Sequence, residues 1–166
     1  FAREVETDTL GENPPVTISH QRYVQYVHAL NQTLRVSPQN ADLIAQLAVE
    51  YEQAGRIDLA LSMAERCVEV ITSLPPAESD NEFALRQRIS DSMRDLVKRY
   101  EDRRKAVEEE IVKLQKEKID PLQISAMLRQ EGFNLRALRL IEEDPALVGN
   151  IQARLIQAFL LSDAGR

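Results

Sequence analysis

Residues 40–76 read NADLIAQLAVEYEQAGRIDLALSMAERCVEVITSLPP. Asn40 is a strong helix N-cap residue, and Leu43, Ile44, Leu47, Ala48 and Tyr51 then recur at helical spacing on one face. Ala54-Gly55-Arg56 stops that helix, and Gly55 can adopt the left-handed conformation that ends it cleanly. A second stripe follows at once: Ile57, Ala60, Leu61, Ala64, Val68 and Ile71, closed by Leu74-Pro75-Pro76. Two apolar stripes joined by so short a turn predict an antiparallel helix hairpin. The small residues Ala48 and Ala60 are expected where the two helices approach most closely, and Gly55 is expected at positive φ.

Outward from this hairpin the pattern returns. Gly55-Arg56-Ile57-Asp58-Leu59-Ala60-Leu61 aligns with Gly132-Phe133-Asn134-Leu135-Arg136-Ala137-Leu138, so the same glycine-to-alanine spacing occurs twice. Asp120 with Pro121 opens the second unit, whose first helix carries Leu122, Ile124 and Leu128. Leu135, Leu138 and Ile141 mark its partner, which ends near Asp144-Pro145. A last helix is expected over 146–162 with Ile151, Leu155, Ala158 and Phe159 as its apolar residues. On the N-terminal side, Ser19 can cap a helix to Val36 carrying Tyr23, Val27, Leu30 and Leu34, while residues 1–18 read as an extended arm broken by Gly11, Pro14 and Pro15.

Between the two units, Ala77–Asp120 holds neither glycine nor proline. Ser79 followed by Glu82 forms a capping-box signature. Leu85, Ile89, Met93, Leu96, Tyr100, Val107, Ile111 and Leu114 then form one stripe, interrupted where Arg103 and Arg104 fall. One long charged helix is expected, roughly 60 Å in length at 1.5 Å per residue. Its middle has no apolar anchor. It is therefore expected to bridge two lobes through solvent, with cover by a second copy as the rival.

Composition narrows the function. Apolar residues make up 43% of the 166, enough for a core, while five glycines and no tryptophan disfavour hairpin-rich β folds and phosphate-binding loops. No apolar run approaches the about 18 residues that cross a membrane. The net charge of −6 argues against a general nucleic-acid binder. The basic stretch 86–118 has carboxylates interleaved among its arginines and lysines, which fits a solvated helix. His20 and His28 lie too far apart on one helix for a shared metal, and Cys67 falls in an apolar stripe with no histidine beside it. The triplets Glu108–Glu110 and Glu142–Asp144 splay around their helices and do not converge. No catalytic residues, metal site or cofactor are therefore expected. A single cysteine leaves a cytoplasmic or a periplasmic setting open, and a chain running from Phe1 to Arg166 reads as a fragment.

The stretch 41–74 resembles a tetratricopeptide repeat. Ile44 stands at the first bulky position, followed by Leu47, small Ala48 and Tyr51, then Gly55 at the turn and Ala60, Ala64 and Cys67 behind it. Ile44 replaces the usual aromatic residue and Ala64 a larger ring. The resemblance implies an all-α fold of helix-hairpin repeats joined by the long charged helix. It divides the chain into the arm 1–18, a repeat lobe 19–76, a spacer 77–120 and a degenerate repeat lobe 121–166. It further implies a non-catalytic scaffold or adaptor that holds another protein or peptide on its concave face. That face maps to Asp42, Ala45, Val49, Glu52 and Gln53 in the first unit, and to Ile119, Leu122, Ala126, Arg129 and Gln130 in the second. Two alternatives stand beside it: a coiled-coil module self-associating through the long helix, and a helical accessory domain of a larger enzyme or transport machine.

Overall fold

A computed structural model describes the backbone of residues 15–163 and the side chains from Arg22 onward. Among the described residues the fold is all-α, with seven α-helices and no strand: α1 (Pro15–Val36), α2 (Ala41–Gln53), α3 (Ile57–Ser73), α4 (Asp80–Lys116), α5 (Pro121–Gln130), α6 (Asn134–Glu143) and α7 (Ile151–Asp163). The arm expected over 1–18 lies mostly outside the described residues, as does the side chain of His20. α1 starts at Pro15, a residue preset for a first helical turn, and not at Ser19.

The caps read from the sequence form. Asn40 Oδ1 accepts from Leu43 N at 3.1 Å, Ser79 Oγ from Glu82 N at 3.2 Å, and Asp120 Oδ1 from Leu122 N at 2.9 Å. The Glu82 carboxylate accepts in return from Glu78 N, one residue earlier than the usual capping box. Three reversals share one closing geometry. Arg56 N donates to Tyr51 O at 2.8 Å, Phe133 N to Leu128 O at 2.8 Å, and Ile119 N to Leu114 O at 3.0 Å. Their left-handed residues are Gly55 at φ 72°, Gly132 at φ 83° and Lys118 at φ 57°.

α2 pairs with α3, and α5 with α6, as the hairpin reading requires. Ile44, Leu47, Ala48, Tyr51, Ala60, Leu61, Ala64 and Cys67 are all buried. The Cys67 thiol donates to Ala41 O at 3.3 Å, and burial pushes its pKa up to about 11. It is a packed core thiol. One apolar cluster runs through both hairpins. They meet turn to turn: Asp58 N donates to Gly132 O at 3.4 Å, and α3 packs on α6.

The expected solvent bridge is corrected by the course of α4. Met93, Leu96, Val107 and Ile111 are buried, mostly against α3, with α2 and α5 contributing. The middle has no apolar anchor, yet it is held by ion pairs to both hairpins: Arg104 to Glu65 at 2.6 Å, Arg103 to Glu131 at 2.8 Å, and Glu108 to Arg136 at 2.9 Å. Arg103 also lies over the Phe133 ring. Leu85, expected to anchor the helix, is exposed together with Phe83. That first part of α4 runs past the core, and only Ile89 and Ser90 onward turn toward it.

The last helix differs most from expectation. Pro145–Leu147 form a separate 3-10 turn, Gly149 breaks the chain at φ 86°, and Asn150 Oδ1 caps a new start by accepting from Gln152 N and Ala153 N. α7 then turns Ala153 and Leu160 inward. Ile151, Leu155 and Phe159 face solvent, at 75%, 67% and 40% exposure.

Candidate functional site

Three of the ten concave-face residues come together, and all three belong to the second unit. Ala126, Arg129 and Gln130 on α5 line a surface depression of about 300 Å3 with Arg56, Asn134 and Phe159. Of the other seven, five lie along α2 and two at the start of the second hairpin. Ala45, Val49, Ile119 and Leu122 are half-buried and pack against the core. Glu52 is tied to Arg99 of α4 at 2.8 Å, which covers the acidic end of α2. Asp42 and Gln53 are exposed on α2.

The floor of the depression is rigid for an electrostatic reason. Arg56, at the α2–α3 turn, grips Asp163 at the end of α7 with two bonds of 2.7 Å, Nε to Oδ2 and Nη2 to Oδ1. Asn134 Nδ2 also donates to Asp163, whose residue is 1% exposed. Arg56 stacks over Tyr23 of α1, whose hydroxyl is pushed upward in pKa by burial and by the Asp163 charge. α1, the first hairpin, α6 and α7 are thereby fastened at one buried carboxylate. A fork-to-fork guanidinium pair suits this role because both carboxylate oxygens are satisfied at once. Sequence reasoning missed this arrangement. Asp163 lies 107 residues from Arg56, and no local pattern connects them.

Arg129 forms the wall. Its guanidinium lies 4.7 Å from the centre of the Phe159 ring, linking α5 to α7, and no carboxylate pairs with it among the described residues. Phe159 belongs at the same time to the exposed α7 stripe. Leu155 and Ile151 continue from Phe159 along the same face of α7, both exposed, and Val148 before the helix is exposed as well. A cationic edge beside a continuous apolar ledge is suited to holding a protein segment by burial and charge. It offers no nucleophile or general base.

A second depression, of about 180 Å3, lies where α3, α4 and α6 meet. Most of its charged groups are engaged: Glu65 pairs with Arg104, Glu108 with Arg136, and Asp58 Oδ2 accepts from Arg136 N at 2.8 Å, while Arg139 also lines it. Asp58 caps α6 from the neighbouring hairpin, where Phe133 supplies no side-chain cap. Its other oxygen, Oδ1, is buried without a hydrogen-bond partner, and burial pushes its pKa up to about 6. This depression is the joint between the hairpins.

Among the described residues no group of three histidines, cysteines or carboxylates is placed to hold a metal ion, and no helix is long and apolar enough to cross a membrane. Comparisons with protein-family models, with curated proteins and with solved structures return no match.

Proposed function

We propose that the chain is a non-catalytic protein-interaction module, a scaffold or adaptor of tetratricopeptide-like helical hairpins, that engages its partner on the α5–α7 face. The observation that carries this reading is the orientation of α7. A helix that buries Ala153 and Leu160 while exposing Ile151, Leu155 and Phe159 leaves a contiguous apolar surface in water, beside Arg129. Such surfaces mark interaction sites more often than they occur idly. An accessory lobe of a larger machine would use the same face. Self-association through α4 has less support, because Met93, Leu96, Val107 and Ile111 are already covered within the chain.

Panning a random peptide-display library against the folded chain tests the proposal. Binders are expected whose capture is lost in Ile151→Asp/Leu155→Asp and kept in Val112→Asp, an exposed apolar position on α4. If no binder depends on the α7 stripe, the proposed face is wrong.

A further inference from the structure

α7 exposes its stripe between two cations. Arg154 borders Ile151 and Leu155 on one side of the helix, and Arg129 borders Phe159 on the other. Neither has a carboxylate partner among the described residues. α7 itself carries one acidic residue, Asp163, which is buried and consumed by Arg56 and Asn134. The stripe is thus apolar along its centre with one arginine beside each edge, and Glu142 of α6 reaches α7 at Gln157, three residues beyond Arg154, in a chain whose net charge is −6.

The stripe also has a geometry. Ile151, Leu155 and Phe159 are spaced by four residues, so their side chains rise as one ridge along the helix. α2 is covered by α3 and α5 by α6, whereas α7 packs chiefly on α6 and no helix among the described residues follows it back. Resting on the interaction reading above, we infer that the partner is an amphipathic α-helix with apolar residues at i, i+4 and i+7, flanked on both sides by carboxylates, which lies on α7 as a second helix of a hairpin would.

Charge decides against a second copy of the chain as the occupant. In a two-fold antiparallel pairing centred on Leu155, the two Arg154 side chains fall on the same edge and the two Arg129 side chains on the other. Like charges then meet on both edges, which is destabilising. Carboxylates on a partner helix reverse that sign at the same places. An exposed pair contributes little by itself, so the apolar ridge supplies most of the affinity and the charges supply selectivity.

The test uses two synthetic 18-residue helices with the same leucine ridge, one flanked by glutamates and one by lysines. Their binding is measured by fluorescence anisotropy. The glutamate helix is expected to bind about tenfold more tightly at low salt, and the gap is expected to close toward twofold at 0.5 M salt. Arg154→Glu should reduce or invert the preference with no change in the circular dichroism spectrum, and Leu155→Asp should abolish both interactions. Equal binding of the two helices overturns the inference, as does a concentration-dependent dimer in sedimentation that Leu155→Asp removes. Display binders that depend on the stripe but are neither helical nor acidic would overturn this inference alone. Loss of all stripe-dependent binders would overturn the interaction reading beneath it.

Discussion

The turns at Gly55 and Gly132 have the same backbone and the same closing hydrogen bonds, yet their surroundings differ. A Cβ on Gly55 would meet nothing within 4 Å. A Cβ on Gly132 would lie 2.2 Å from Gly55 O and 3.0 Å from Ile57 Cγ1. The first glycine answers only to conformation, and the second also to space. Repetition of a motif in sequence therefore does not repeat its load. Both turns end a helix and meet each other, but the first brings its backbone oxygen to the contact and the second brings the position where a side chain has no room.

The largest effect that separates the two turns is expected at Gly132. Gly132→Ala combines the left-handed strain of an L-residue with a clash against backbone that cannot rotate away, on the order of 4 kcal/mol together. The measurement is chemical denaturation. A loss no greater than that of Gly55→Ala would mean that the hairpins do not meet at this point.

Asp58 sharpens the comparison because its repeat counterpart is Leu135. The first hairpin thus contributes a carboxylate to the joint and the second does not. Burial raises the Asp58 pKa from 3.8 to about 6 in the folded chain. Between pH 4 and pH 6 the folded state therefore holds more protons than the unfolded state. Stability falls as pH rises through that window. The penalty is complete above about pH 6 and absent below about pH 4, and it is on the order of 3 kcal/mol. Asp58→Asn keeps an oxygen to cap α6 and removes the charge. Its thermal midpoint is expected to exceed that of the parent by several degrees at pH 7 and to match it near pH 4. Parallel curves for the two proteins would show that Asp58 is not desolvated at the joint.

These contrasts show where sequence was informative. Local chemistry was legible: the caps at Asn40, Ser79 and Asp120, the turn at Gly55, the burial of Ala48 and Ala60, and the second hairpin beginning at Pro121. Each depends on residues within about one helical turn. Periodicity also found the apolar residues of α7, but an apolar stripe in sequence does not say which neighbour covers it. Gly149 and Asn150 re-start the helix, and the grip of Arg56 on Asp163 then fixes which side faces inward. The same limit applies to the middle of α4. Arg103 and Arg104 read as a gap in a stripe because their partners, Glu131 and Glu65, are distant in sequence. The candidate site was legible only where it lies on one helix, at Ala126, Arg129 and Gln130. Arg56, Asn134 and Phe159 reach it from three other elements.

Gly55→Ala should bring the first turn close to the second in kind but not in size. With nothing within 4 Å of the added carbon, only the backbone penalty remains, about 1 kcal/mol. Gly55→Val, with a branched side chain at the same φ, should cost more than that by denaturant midpoint. An unchanged midpoint in both variants would mean that the turn does not hold Gly55 at positive φ.

The smallest expected effect concerns what holds the middle of α4 across the two hairpins. Arg103 reaches the second hairpin at Glu131 and Arg104 reaches the first at Glu65, through side chains that are 44% and 41% exposed. Water and salt screen both pairs, so each is worth at most about 0.5 kcal/mol. The apolar anchors on either side, Leu96 and Val107, are buried and carry the attachment. Arg103→Gln and Arg104→Gln are therefore expected to shift stability by less than about 1 kcal/mol together, in near-additive steps, and by less still in 0.5 M salt. Amide hydrogen exchange makes the sharper measurement, because it reads the helix locally. Protection over 100–106 should fall in the double variant while protection around Leu96 and Val107 is unchanged. Loss of protection along the whole of α4 would show that the arginines, and not the flanking apolar residues, hold the helix to both hairpins.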